Sequence, residues 1–245
     1  MQGRTAPTTS SVPRQWLDGC IAAQRRLEAV VESLPDATAR QASLLEGWTV
    51  GHVLTHVARN ADANAGVVEA AQRGEMAPMY PGGRTQRDGA IEAGQGRQAA
   101  DLIADVRGAH QRLEQAWATT SEEVWETGLG QRVSGPATLA DFVFSRWREV
   151  EVHLVDLGLR ERGGPDWDGL SAAYLDLEWP ATLSGLAARV PEGVTLILVP
   201  GDRPSHAFGK GDERAIVRAT PGRILGWLLG RGGDPAWPDL RPWAY

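Results

Sequence analysis

Apolar residues recur at every third or fourth position through most of the first two-thirds of the chain, the period of a helix with one buried face. "QWLDGCIAAQRRLEAVVESL" (15–34) carries this period and stops before Pro35. In 43–75, Thr49 is placed to N-cap a long helix that closes near Gly74. The stretch 76–96 is rich in glycine and proline and reads as a long loop with room for a short helix around Ile91. Loops of that length inside a compact domain are more often functional than idle. The helical period returns over 97–120.

The next segment, "ATLADFVFSRWREVEVHLVDLGLRER" (137–162), is ambiguous at its centre. As a strand it would align Glu149, Glu151 and His153 on one face; as a helix it pairs only Glu149 with His153. Leu139, Val143, Trp147, Val150, Leu154 and Leu157 recur at three or four, and Thr138 with Asp141 resembles a capping box. Gly158 offers a C-terminal cap, and a strand of this length would be unusual. The segment is therefore expected to be helical. Glu149 and His153 then lie about 40° apart around the axis, beside the apolar stripe, and Glu151 falls on another, solvated face.

Four long helices predict a four-helix bundle over residues 13–162, after a loose polar tail at 1–12. Beyond "RGGPDWDG" (162–169) the texture changes. A helix over 170–190, broken or kinked by Pro180, is followed by the buried strand "GVTLILVP" (193–200). A hairpin over 205–220, turning at Gly209–Asp212, and a helix starting at Pro221 complete the pattern. Residues 163–245 thus read as a small α/β domain.

Composition narrows the function. A net charge of −6 does not suit a nucleic-acid partner, and no apolar run approaches the length needed to span a bilayer. The first residues lack the apolar core of a signal peptide, so the expected setting is the cytoplasm. Cys20 is the single cysteine, which excludes an internal disulfide and a cysteine-based metal cluster. It sits on an apolar helix face and is expected to be packed, not nucleophilic. Positive charge is almost all arginine, with Lys210 the only lysine, a bias that hints at a high-GC genome.

Of five histidines, two form His52-x3-His56 on one predicted helix and a third pairs with Glu149 as Glu149-x3-His153 on another. Side chains at i and i+4 project from one helix face and can clasp one ion. Inward His and Glu from facing helices build metal sites in bundles, and three N/O ligands leave positions open for chemistry. His56 also fits a hydrogen-bonded core histidine. His110 and His206 are isolated and read as surface or structural residues. Trp48 and Trp147 are placed to pack around the site.

"SLLEGWTVGHVLTHVARNA" (43–61), "MY" (79–80) with "RDGAIEAG" (87–94), "AWATTSEEVW" (116–125), "RWREVEVHLVDLG" (146–158) and "GWLLGRG" (226–232) resemble, in order, the mycothiol-dependent maleylpyruvate isomerase family. The resemblance implies a metal-binding bundle of the DinB type followed by a C-terminal domain similar to sterol carrier proteins. It implies a divalent metal, usually zinc, held by His52, Glu149 and His153, with His56 outside the coordination sphere. It also marks Arg231 as needed for activity. Arg87, in the long loop, is a second candidate because its guanidinium can bind a carboxylate bidentately.

The implied cosubstrate is mycothiol, the small thiol of actinobacteria. Its thiolate would add to maleylpyruvate, the new single bond would rotate, and elimination would leave fumarylpyruvate. The same site could instead transfer mycothiol to a xenobiotic or a biosynthetic intermediate. A metal-free binding module and a metal-dependent hydrolase are further alternatives, the first disfavoured by the cost of burying an unliganded polar cluster. The partners expected are a small-molecule thiol and an electrophilic carboxylate, with no nucleic acid and no membrane, for a monomer or homodimer.

Overall fold

The computed structural model describes residues 12–242, so the expected tail at 1–12 lies almost wholly outside the described residues. Contacts divide the chain into two units between Leu157 and Gly158, five residues before the boundary expected from composition.

In the first unit, helices α1 (Arg14–Val31), α3 (Val50–Gln72), α5 (Ala99–Ala118) and α7 (Leu139–Asp156) form the bundle. α3 packs on α5 and α7, and α1 packs on the same two, so the four helices close a ring of neighbours. The buried faces are the apolar stripes of the sequence: Leu27 and Val31 on α1, Val53 and Val57 on α3, Leu102 and Val106 on α5, Val150 and Leu154 on α7. α3 is buried almost all round, as a helix between two neighbours must be. Short helices α2 (Asp36–Ala39), α4 (Gly83–Gly94) and α6 (Glu122–Thr127) lie in the connections.

Two features of this unit depart from the sequence reading. The segment expected to be mostly loop holds a twelve-residue helix, α4, which packs on α3. The approach is close: a Cβ at Gly51 on α3 would lie 2.2 Å from the Gln95 carbonyl oxygen at the end of α4. The turn region before α7 is an antiparallel hairpin, β1 (Leu129–Arg132) with β2 (Gly135–Thr138). Thr138 then caps α7 as expected, with Asp141 returning the bond to the Thr138 backbone.

The second unit holds α8 (Ala172–Ser184), β3 (Val194–Pro200), β4 (His206–Gly209), β5 (Glu213–Ala219) and α9 (Pro221–Leu228). α8 runs through Pro180 without interruption. The expected β4–β5 hairpin does not form. β3 lies between the two, antiparallel to β4 and parallel to β5. The Gly209–Asp212 turn carries the chain past the start of β3. There a Cβ on Gly211 would lie 1.7 Å from the Gly193 carbonyl carbon, so only glycine fits. Leu196, Leu198 and Val217 of the sheet pack with Leu183 of α8 and Ile224 and Leu228 of α9. Helical bundle followed by a small α/β unit is the fold class the pattern implied.

Candidate metal centre

The site is built from α3 and α7 with a contribution from α4. His56, two turns into α3, directs Nε2 to within 2.8 Å of Glu149 Oε2 on α7. His153, one turn beyond Glu149, places its own Nε2 3.3 Å from the same oxygen. The His56 and His153 rings meet edge to face, 4.7 Å apart. One ligand atom from each of His56, Glu149 and His153 falls within 4.8 Å of the other two.

The donor set fits a divalent metal. Two imidazoles and one carboxylate are hard-to-borderline ligands of the kind zinc accepts, and three of them leave coordination positions open. His153 Nδ1 is 2.9 Å from Asp156 Oδ2, and Asp156 is fully buried. A carboxylate this close to Nδ1 favours a proton there and a lone pair on Nε2, the usual arrangement behind metal-bound histidine.

Charge follows the same geometry. Burial would raise the Glu149 carboxyl, yet hydrogen bonds and charge from His153 and His56 hold it well below the usual carboxylate range. Burial pushes His56 down to about 4 against the opposing pull of Glu149. Burial also works against the charged form of His153, but Asp156 and Glu149 together raise it above the ordinary imidazole value.

His52 is not part of this group. Its Nδ1 lies 3.0 Å from the Thr49 amide nitrogen and 2.8 Å from Thr49 Oγ1, closing a capping box at the start of α3. Its Nε2 is 3.5 Å from Glu92 Oε1 on α4. The structure therefore brings together His56, Glu149 and His153, where the resemblance had placed His52 among the ligands and His56 outside them. The two histidines share a helix face, so spacing does not separate them. What does is that His52 is the third residue after the cap, the position whose side chain can bond back to it.

Arg87 on α4 extends to the same cluster, with Nη2 3.2 Å from His56 Nδ1 and Nη1 2.7 Å from Asp88 Oδ1. Trp48 packs its ring 5.9 Å from that of His52 and 5.7 Å from that of His56. Arg231 lies in the second unit just after α9, where Nη1 donates to the Leu229 carbonyl at 2.9 Å.

Other readings of single residues change. Glu151, expected in solvent, is buried and accepts from Trp147 Nε1 at 3.3 Å, with Arg26 at 3.4 Å, because α1 covers that side of α7. His110 is fully buried against Glu28, at 2.7 Å, and is structural. Cys20 is fully buried and its thiol is pushed up to about 12 by burial, so it is no nucleophile at neutral pH. Arg146, on α7 one turn before Glu149, is completely buried and donates to the Val57 carbonyl at 3.0 Å and Asn60 Oδ1 at 2.8 Å.

Fold and donor set together define a helical-bundle protein with a candidate three-ligand metal centre, joined to a small α/β unit. Residues 20–158 match the family model described as the mycothiol maleylpyruvate isomerase N-terminal domain, and the chain belongs to that family. It is also similar in structure to a mycothiol-dependent maleylpyruvate isomerase, with a TM-score of 0.78 and 25% identity over 93% of this chain and 91% of that one. A histidine-to-alanine mutant described by the same words matches with a TM-score of 0.78 and 24% identity, over 92% and 95% of the two chains. Among curated proteins no match is found. No helix of the described residues is long and apolar enough to cross a membrane.

Proposed function

We propose that this protein is a metal- and mycothiol-dependent cis–trans isomerase that converts maleylpyruvate to fumarylpyruvate in the cytoplasm. The observation that carries the reading is the convergence of His56, Glu149 and His153 in a chain of this family. These three residues would hold the metal, with zinc the ion their chemistry suits best. A divalent cation supplies one thing here: it favours the thiolate over the thiol of a bound cosubstrate at neutral pH.

The chain's own residues do the rest. Glu149, kept ionised by two imidazoles, supplies the single negative charge of the donor set. Asp156 fixes the orientation of His153. The half-buried Arg87 guanidinium, beside His56, is placed to take a substrate carboxylate in a two-point contact. Trp48 lines the histidine face and limits access of water. Arg231 enters on the family resemblance as a second arginine required for turnover. No side chain of the protein supplies the sulfur, since Cys20 is buried and held as the thiol. The reaction is then addition of the mycothiol thiolate to the cis double bond, rotation about the resulting single bond, and elimination of the thiolate.

The test is to incubate metal-loaded protein with maleylpyruvate, with and without mycothiol, and follow fumarylpyruvate. Formation only with the thiol is the expected outcome. Turnover without thiol would refute the mechanism. A stable mycothiol adduct without isomerisation would reassign the site to thiol transfer.

A further inference from the structure

Tyr80 stands in the turn before α4, and its hydroxyl lies 3.4 Å from Asn60 Nδ2. Asn60 is one helical turn beyond His56 on α3, as Arg146 is one turn before Glu149 on α7. The orientation of the Asn60 amide is dictated by its neighbours. Arg146, which has only donors, sets Nη1 2.8 Å from Asn60 Oδ1, and Asn64 Nδ2 approaches the same oxygen at 3.2 Å. With its oxygen so occupied, Asn60 turns its NH2 group to Tyr80, and the phenol oxygen is the acceptor.

The Arg87 guanidinium carbon lies over the Tyr80 ring, 5.9 Å from its centre. The same guanidinium reaches His56. A phenol oxygen that accepts from Asn60 retains its own proton for another partner. Burial and the nearby Glu149 charge raise the phenol above its ordinary value, so it carries that proton at neutral pH.

We propose that Tyr80 is a catalytic residue whose O–H donates a hydrogen bond to the substrate oxygen on which negative charge develops during thiolate addition. This rests on the isomerase reading and deepens it. As the sulfur–carbon bond forms, the electron pair of the double bond moves through the conjugated system onto a carbonyl oxygen, which takes the Tyr80 hydrogen bond. After rotation the pair returns, the double bond re-forms and the thiolate leaves with the pair of the broken sulfur–carbon bond. The phenol proton stays on Tyr80 throughout, so the step balances without an outside acid. Asn60 and Arg146 act as positioning residues that aim this proton.

The experiment compares metal content, kcat and KM for the wild type, Tyr80→Phe and Asn60→Asp. It also measures calorimetric binding of oxalate, a planar mimic of an enolate, under conditions where the metal is retained. Asn60→Asp keeps an acceptor for Arg146 but removes the donor to Tyr80, so it redirects the phenol proton without emptying the core. Both variants should retain metal and the KM for mycothiol while kcat falls about 100-fold, the range for loss of one aligned donor. Oxalate should bind about tenfold more weakly to Tyr80→Phe. A Tyr80→Phe kcat within about threefold of wild type overturns the proposal. If the wild type forms no fumarylpyruvate, the isomerase reading fails and oxalate decides. Weaker binding by Tyr80→Phe then sustains the oxyanion role, and equal affinity, absence of binding included, overturns it.

Discussion

His56 Nε2 and Glu149 Oε2 are 2.8 Å apart across the contact between α3 and α7, although 93 positions separate them in sequence. That contact helps tie the two helices at the candidate centre and sets which of two neighbouring histidines faces the carboxylate. It also separates two substitutions that look alike on paper. His56→Ala should abolish stoichiometric metal binding, whereas His52→Ala should retain the metal. The latter should instead lose about 1 kcal/mol of stability with the capping box of α3. Elemental analysis of the two proteins, beside their urea unfolding curves, checks both statements; metal loss confined to His52→Ala would reverse the assignment.

The buried His110 predicts a pH dependence of stability. Burial lowers its imidazole to about 4, with Glu28 opposing, against an unfolded value near 6.5. Between these values the unfolded chain takes up a proton that the folded chain does not. Stability from this group is therefore complete above pH 6.5 and lost as pH falls towards 4, by roughly 3 kcal/mol in total. His110→Gln keeps a partner for Glu28 but does not titrate. Urea unfolding from pH 7 to 4 should show a shallower decline for that variant than for the wild type.

Gly19 on α1 marks a close approach to α7. A Cβ there would sit 2.2 Å from Trp147 Cη2, in a ring that is itself buried and bonded to Glu151. The ring cannot withdraw without losing that bond, so Gly19→Ala should destabilise by about 1–3 kcal/mol despite the higher helix propensity of alanine. Thermal unfolding together with tryptophan emission would register both the loss and the displaced ring.

Removing Arg146 should be costly for a different reason. Arg146→Ala takes one buried donor from each of the Val57 carbonyl and Asn60 Oδ1 and opens a cavity where a large side chain stood. A loss of about 3–5 kcal/mol is expected from chemical denaturation. A loss below about 1 kcal/mol would mean that the core re-pairs these groups.

The helical period and the caps at Thr49 and Thr138 made α3 and α7 readable from residues alone, because both signals are local. The bundle followed from them, and the small α/β unit from the β-rich run at 193–200 and the helix start at Pro221. The choice between His52 and His56 was not readable from spacing, since both project from one face of α3. The distinguishing fact is that Thr49 engages the His52 ring. Glu151 looked like a solvent residue because nothing in the period of α7 reports that α1 covers its other side. The glycines at 209–211 signal a change of direction equally well for a hairpin and for a crossing, and only the close approach of Gly211 to Gly193 decides between them.

The placement of β3 between β4 and β5 also predicts an order of assembly. β3 and β4 are antiparallel neighbours joined by a short turn, a pairing that closes within microseconds in isolated hairpins. β5 pairs with β3 in parallel, Val194 with Glu213, so it docks only after the chain has passed the Gly193 end of the sheet. That non-local step is expected to set the pace of the second unit's folding. Crowding at Gly211 would therefore act first on how fast the sheet completes, leaving the early hairpin untouched.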